Sequence, residues 1–354
     1  MHFIRLKDTA ILNEQTSLLP TITVVSFICE QVIELIYTHL RSVDGKILQQ
    51  SRAFEPTVGD YISYITSKSG KRLRPILVLL SGGSAGKITS EHIDLAVILE
   101  LIHIATLVHD DIMDGADFRH EQATANTKWG NSLSVLLGDC LFSHALRLAT
   151  SFSSQEISRK IADASTEVCS GEILQTQHRF DLKLSISDYH RIIQMKTAAL
   201  FSLACELGSL VSGASTKTIV ALRRFGRQFG IAYQIYDDCL DFVGNEIKIG
   251  KTLGTDLKRG KFTLPVLLML RSKKFDHANR KVRISSILGN GKGIVDTNVV
   301  TRMVRKSGAM QAASQTGIRL INEAKNNLLI VPENPYVLAL GAMAKQLEFM
   351  LQLL

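Results

Sequence analysis

The chain has 354 residues, 45% of them hydrophobic and 21% charged, a globular composition with room for one large domain or two. Its net charge of +8 is spread along the sequence, with no dense Lys/Arg run interleaved with aromatics. That argues against nucleic-acid binding and for an anionic small-molecule substrate. Five cysteines, Cys29, Cys140, Cys169, Cys205 and Cys239, lie far apart without a C-x-x-C pair, as expected of reduced thiols in a cytoplasmic protein rather than a disulfide framework.

The N-terminus carries Arg5 and Lys7 but no following small-residue cleavage site, so no signal peptide is expected. Residues 21–40 come nearest to a membrane span, yet Glu30, Gln31 and Glu34 interrupt them, and no apolar run reaches the ~20 residues a span needs. With six prolines and few alternating β-branched runs, helical periodicity dominates. Helices are expected over 21–42, 90–114, 131–151, 155–176, 187–212, 216–243, 262–272 and 335–353. Helix-stop chemistry separates them at "SGGSAGK" (81–87) and "VSGAST" (211–216). The stretch 273–300, which contains "GNGKG", is the expected long loop. No linker rich in Pro, Gly or Ser divides the chain, so 1–354 reads as a single all-α domain.

The helix over 90–114, with Ser90 as its expected N-cap, is apolar nearly all round and therefore suited to the inside of a bundle; it would measure ~36 Å. It ends in "LVHDDIMD" (107–114). Asp110 and Asp114 are four apart and Asp111 and Asp114 three apart, so they share helix faces and repel, at the helix end where the macrodipole disfavours acids. For one such cluster, a solvated acidic helix end is the simplest account. However, "YQIYDDCLDF" (233–242) repeats the D-D-x-x-D pattern with Asp237, Asp238 and Asp241, again after an apolar helix. Two facing carboxylate sets make a divalent-cation site. Hard oxygen ligands suit Mg²⁺, which takes few carboxylates and completes its shell with water and substrate phosphates. A di-iron bundle needs E-x-x-H from two helices, and only Glu100 and His103 supply one.

Cations accompany both clusters. "SGKRLRP" (69–75) places Lys71, Arg72 and Arg74 beside Gly70. Alone this reads as a solvated basic turn, although Gly allows close backbone approach and Arg and Lys match phosphate oxygens. It is not a Walker loop, since G-x-x-x-x-G-K-[ST] is absent. Arg119 and His120 follow the first cluster, Lys251, Lys258, Arg259 and Lys261 follow the second, and "QMKTA" (194–198) offers Lys196 and Thr197.

In these motifs the chain resembles the trans-prenyltransferases, the head-to-tail isoprenyl diphosphate synthases. "GKRLRP", "HIATLVHDDIMD", "GEILQ" (171–175), "MKTA", "YQIYDDCLDF" and "GKTLGTDLKRGKFTLP" fall in the family's order and spacing from roughly residue 40 to 270, while the C-terminal third matches loosely. The resemblance implies a large antiparallel helical bundle around a central cavity, a homodimer, and three Mg²⁺ ions gripping a substrate diphosphate. The C–O bond of the allylic diphosphate breaks, the double bond of isopentenyl diphosphate attacks the allylic cation, and a proton leaves to the departing diphosphate. It further implies that Asp110, Asp111, Asp114, Asp237, Asp238 and Asp241 hold metal. Lys71, Arg74 and His103, with the adjacent Arg72 and with His120, bind isopentenyl diphosphate. Arg119, Lys196, Thr197, Gln234, Lys251 and Lys261 bind the allylic diphosphate, with Arg119, Lys196, Thr197 and Gln234 closest to the chemistry. By itself a lone His103 on an apolar helix would read as a satisfied core residue.

One departure stands out: where the family has R-R-G after the first cluster, this chain has "RHE" (119–121). His120 has fewer donors than Arg, so weaker and more pH-dependent isopentenyl diphosphate binding is expected. Ala105 and Thr106, one turn before the first cluster, occupy the family's product ruler and are small. Ile98, Leu101 and Ile102 lie deeper and are not aromatic. Since a turn of ~5.4 Å spans about one isoprene unit, the resemblance implies a long product of roughly C30 to C50, shortened by Ala105→Phe or Tyr, and peripheral membrane contact through that lipid. Two rivals share part of the pattern. A class I terpene cyclase lacks the Lys71/Arg74/His103 set, and a non-catalytic partner subunit typically loses an aspartate cluster.

Overall fold

The computed structural model describes residues 19–67, 70–119, 122–243, 254–272 and 297–354, with side chains from residue 32 onward. The described residues are almost entirely helical. In chain order the helices are α1 (Leu19–Gln49), α2 (Pro56–Thr66), α3 (Leu73–Ala85), α4 (Ser90–Met113), α5 (Ala125–Trp129), α6 (Asn131–Ala149), α7 (Gln155–Gln177), α8 (Ile186–Ile193), α9 (Ala199–Val211), α10 (Thr216–Leu240), α11 (Thr255–Lys258), α12 (Leu264–Arg271), α13 (Thr297–Ser307), α14 (Ala309–Leu328) and α15 (Pro335–Gln352). A two-residue ribbon, β1 (Phe118–Arg119) against β2 (Gln122–Ala123), pairs antiparallel with Arg119 opposite Gln122.

Neighbouring helices run α3, α9, α10, α14 and α15, and α15 packs back on α3, closing a ring; α4 lies against α3 on one side and α6 on the other. The larger apolar cluster joins these helices through residues such as Leu77, Ile98, Phe201, Phe225 and Leu340, all at most 1% exposed. Each such side chain contributes about 1.5–3 kcal/mol. A second cluster, including Ile235, Cys239, Phe242, Leu257 and Leu264, packs under the C-terminal half of α10. α10 therefore serves both cores, which makes its last turn a fixed point for the second aspartate cluster.

Most expected helices are present within a few residues at each end. α4 is capped one residue earlier than its sequence suggests: Thr89 is the N-cap, and its backbone N–H donates to His92 Nδ1 at 3.1 Å. α2, α3, α5, α11, α13 and α14 were not anticipated; in α14 the buried face is built from small residues such as Ala313, Gly317 and Ala324, a weak apolar signal. The expected loop 273–300 ends in α13, and 273–296 lie outside the described residues. Two helices, α4 and α6, do reach the length and hydropathy of a membrane span. α4 is mostly buried among its neighbours, and such a core helix meets the same criteria.

The break expected at 81–87 is present but falls late in that stretch: α3 continues to Ala85 and Gly86 is its C-cap. Gly82 is there for close approach: a Cβ on it would lie 2.3 Å from the His92 ring. That ring cannot swing aside, since Nε2 is held by the Gly208 carbonyl (3.0 Å) and the Ser212 hydroxyl (2.9 Å). Gly82→Ala is expected to destabilise the chain by about 1–3 kcal/mol, as overpacking does, measured as a lower urea midpoint at unchanged m-value.

Candidate active site

The C-terminal turn of α4 carries the first aspartate cluster into a ring of cations. Asp111, buried, is gripped by Arg119 from β1: Nε lies 3.0 and 3.1 Å from the two carboxylate oxygens and Nη2 2.7 Å from Oδ1. Asp110 faces Lys196 Nζ at 3.4 Å. Asp114 receives Arg179 at 2.9 Å on Oδ1, and Lys261 at 2.8 Å and Arg259 at 3.2 Å on Oδ2. Burial alone would raise the Asp114 carboxyl, but Lys261, Arg259 and Lys196 hold it below the usual carboxylate range. Lys196 also pairs with Glu172 and donates to Gln175 Oε1 at 2.9 Å. Burial lowers its ammonium pKa, and Asp110 and Glu172 outweigh that and raise it.

Lys196 does not sit in a regular helix. Residues Gln194–Ala198 form a π turn between α8 and α9, so the helix expected over 187–212 is divided in three. π turns are concentrated at functional sites because the extra residue re-aims side chains. Here a Cβ on Gly171 of α7 would lie 2.6 Å from the Lys196 backbone nitrogen, so only glycine allows α7 to approach the turn. The turn joins the two clusters. Lys196 reaches Asp110, while the next residue, Thr197, donates to Gln234 Oε1 at 2.7 Å, and Gln234 Nε2 donates to Asp238 Oδ1 at 2.8 Å.

The second cluster is less uniform than its sequence. Asp237 is half-buried near the end of α10. Asp238 is 4% exposed and accepts from Tyr189 Oη at 2.5 Å as well as from Gln234. Burial and the neighbouring Asp256 push its carboxyl up to about 8, against the hydrogen bonds from Tyr189 and Gln234. Asp241, expected to bind metal, caps α11: its oxygens accept the Thr255 and Asp256 backbone N–H groups, each at 3.2 Å.

The basic residues of 71–74 diverge. Arg72 has a left-handed backbone (φ 51°) and donates to Asp44 Oδ1 and Glu100 Oε1, both at 2.9 Å. In this structure it is the counter-ion of a buried glutamate. Lys71 is exposed, 3.5 Å from Tyr233 Oη and 5.8 Å from the centre of its ring. Arg74 is buried, stacks 4.9 Å from the Phe201 ring centre and leaves Nε without a partner. Burial brings its pKa down to about 10. Phe201 and Tyr233 are themselves 5.7 Å apart, so the two cations stand on one aromatic floor. His103 is half-buried on the α4 face that carries Thr106 and Asp110. Burial, then Arg74, Arg119 and Arg72, keep its imidazole neutral.

His120, Glu121 and Lys251 lie outside the described residues. Conversely, Arg179, Tyr189 and Asp44 were missed, because nothing near them in sequence marks them. Glu172 and Gln175 were visible only as part of "GEILQ".

Among the described residues no three carboxylates or imidazoles converge on one point. The donor set nevertheless fits Mg²⁺, which needs only one or two carboxylates besides phosphate and water.

Comparison with known proteins agrees with this geometry. Residues 55–302 match the family model described as polyprenyl synthetase. The chain belongs to the polyprenyl synthetase family. It is a transferase built on the all-α isoprenyl diphosphate synthase fold. It is 31% identical to the octaprenyl diphosphate synthase of Escherichia coli over 89% of this chain and 97% of that protein. It is also 31% identical to heptaprenyl diphosphate synthase component 2 of Bacillus subtilis, over 86% and 85%. The crystal structure of the Caulobacter crescentus polyprenyl synthase complexed with calcium and isoprenyl diphosphate superposes with TM-score 0.82 at 30% identity, covering 90% of this chain and 97% of that one.

Two outcomes check the site. Arg72→Met leaves Glu100 buried and unpaired, and is expected to cost about 3–5 kcal/mol, most of it recovered in Arg72→Met/Glu100→Leu; chemical denaturation of the single and double variants measures this. Asp238 gives a pH signature in chelator. Its carboxyl titrates near 8 when folded and near ~4 when unfolded, so between those values the native state binds the extra proton and stability falls as pH rises. Asp238→Asn should flatten that slope, read from urea midpoints across the window.

Proposed function

We propose that this chain extends an allylic diphosphate with isopentenyl diphosphate, head to tail and with Mg²⁺, to a long-chain all-trans polyprenyl diphosphate. The observation that carries this reading is the bridge from Asp110 through Lys196, Thr197 and Gln234 to Asp238, which links the two carboxylate clusters through a largely buried ammonium. The octaprenyl and heptaprenyl relatives support the long product.

Bound Mg²⁺ would supply the positive charge that stabilises the leaving diphosphate, held by Asp110, Asp111, Asp114, Asp237 and Asp238. The chain's own groups do the rest. Arg119, Lys196 and Lys261 bind the allylic diphosphate and take up charge as its C–O bond breaks. Lys71 and Arg74 seat the diphosphate of isopentenyl diphosphate on the Phe201–Tyr233 floor, and neutral His103 lends a hydrogen bond without adding charge. The double bond of isopentenyl diphosphate then forms the new C–C bond, and the proton lost goes to the departing diphosphate.

The two ruler positions differ in burial. Thr106 lies on the half-buried face of α4 with His103 and Asp110, whereas Ala105 is fully buried. The expectation that Ala105→Phe shortens the product therefore moves to Thr106. Exposed Val135 and Leu136 on the apolar helix α6 support self-association. A partner-subunit reading draws on the component 2 relative, but that role does not require two intact clusters.

The test is a product assay of the purified chain with Mg²⁺, labelled isopentenyl diphosphate and farnesyl diphosphate. A ladder ending at one long prenyl alcohol is expected, and no incorporation would favour the partner-subunit reading. Thr106→Phe should shorten the end product, while Ala105→Phe should lower stability first.

A further inference from the structure

Asp114 is paired unevenly. Oδ2 is held twice, by Lys261 and Arg259, whereas Oδ1 is held once, by Arg179 Nη2 at 2.9 Å. Arg179 comes from the turn after α7. Its Nη1 donates to the Met113 carbonyl at 3.2 Å, and its Nε is buried without a partner, so the guanidinium is only partly satisfied where it sits.

The turn is fixed at both sides of Arg179. His178 Nδ1 and Asp181 Oδ2 are 2.9 Å apart. Phe180, with φ 61°, donates its backbone N–H to the Gly260 carbonyl at 2.8 Å. Gly260 itself has φ 74°, and a Cβ there would lie 2.5 Å from the Phe180 ring. The segment that brings Arg259 and Lys261 to Asp114 thus also clasps the turn that brings Arg179.

We propose that Arg179 is a positioning residue that competes with the divalent cation for Asp114. The guanidinium occupies Oδ1 until metal with diphosphate displaces it, because a divalent cation and a guanidinium cannot share one carboxylate oxygen without strong repulsion. Arg179 then sets how much metal the site needs. The proposal rests on the reading of Asp110 and Asp114 as metal ligands.

Direct Mn²⁺ binding, followed by electron paramagnetic resonance without substrate, tests it. Arg179→Gln should bind Mn²⁺ about three- to tenfold more tightly than the parent, in line with loss of one charge-assisted contact, with Arg179→Lys in between. Gly260→Ala, which forces the Phe180 turn away, should move affinity in the same direction. Lys258→Gln, an exposed cation on α11, controls for general charge removal and should leave affinity nearly unchanged. Equal or weaker binding in Arg179→Gln, or an equal gain in Lys258→Gln, overturns the proposal. If neither parent nor variant binds Mn²⁺ alone but both bind it equally with inorganic diphosphate, the competition idea fails and the metal reading stands. If no Mn²⁺ binds even then, the metal reading itself fails.

Discussion

Everything in this structure answers to the mutual repulsion of Asp110, Asp111 and Asp114. Two like charges ~4 Å apart at an effective dielectric of ~20 repel by about 4 kcal/mol, and here they sit at the C-terminal end of a helix dipole that already disfavours them. No local substitution relieves this. Relief comes from β1, from the π turn, from the turn after α7 and from the segment after α11, each contributing a cation from a different part of the chain. The helical ring and the shared core of α10 matter because they bring those parts to one end of α4.

The basic stretch 71–74 shows how three adjacent cations acquire different work. Arg72 takes a left-handed backbone conformation and is consumed by Asp44 and Glu100. That neutralises a buried glutamate and fixes the start of α3. Lys71 and Arg74, on either side, are thereby left to the aromatic rings of Tyr233 and Phe201, which attract cations without discharging them. A carboxylate partner would have removed their capacity for an anion; an aromatic floor preserves it.

The aspartate clusters and α4 were readable in sequence because charge interrupting an all-round apolar helix is conspicuous. Burial of α4, Arg119 on Asp111 and Lys196 on Asp110 all agree with that reading. What was hidden has a common cause. The π turn differs from an α-helix by one residue, which apolar periodicity over 187–212 does not register. Arg179 lies at the frayed end of α7 with no motif around it. Asp241 repeats the spacing of Asp114, and like it follows the last residue of its helix, but its oxygens accept backbone N–H groups of α11 rather than side-chain cations. The glycine-rich end of α3 does mark a helix stop, at Gly86, but that Gly82 before it is needed for the His92 ring is not visible locally. In each case the deciding neighbour is distant in sequence.

The π turn also carries an evolutionary consequence. It is a single surplus residue between two otherwise regular helices, and an α-helix turns by ~100° per residue. Deleting one position there would leave a continuous helix of ordinary composition, able to keep its place beside α7 and α10. It would also rotate Lys196 away from Asp110 relative to Thr197 and Gln234, uncoupling the two carboxylate clusters. A chain of this kind is thus one codon from a folded copy with its two clusters uncoupled and both aspartate motifs still in its sequence.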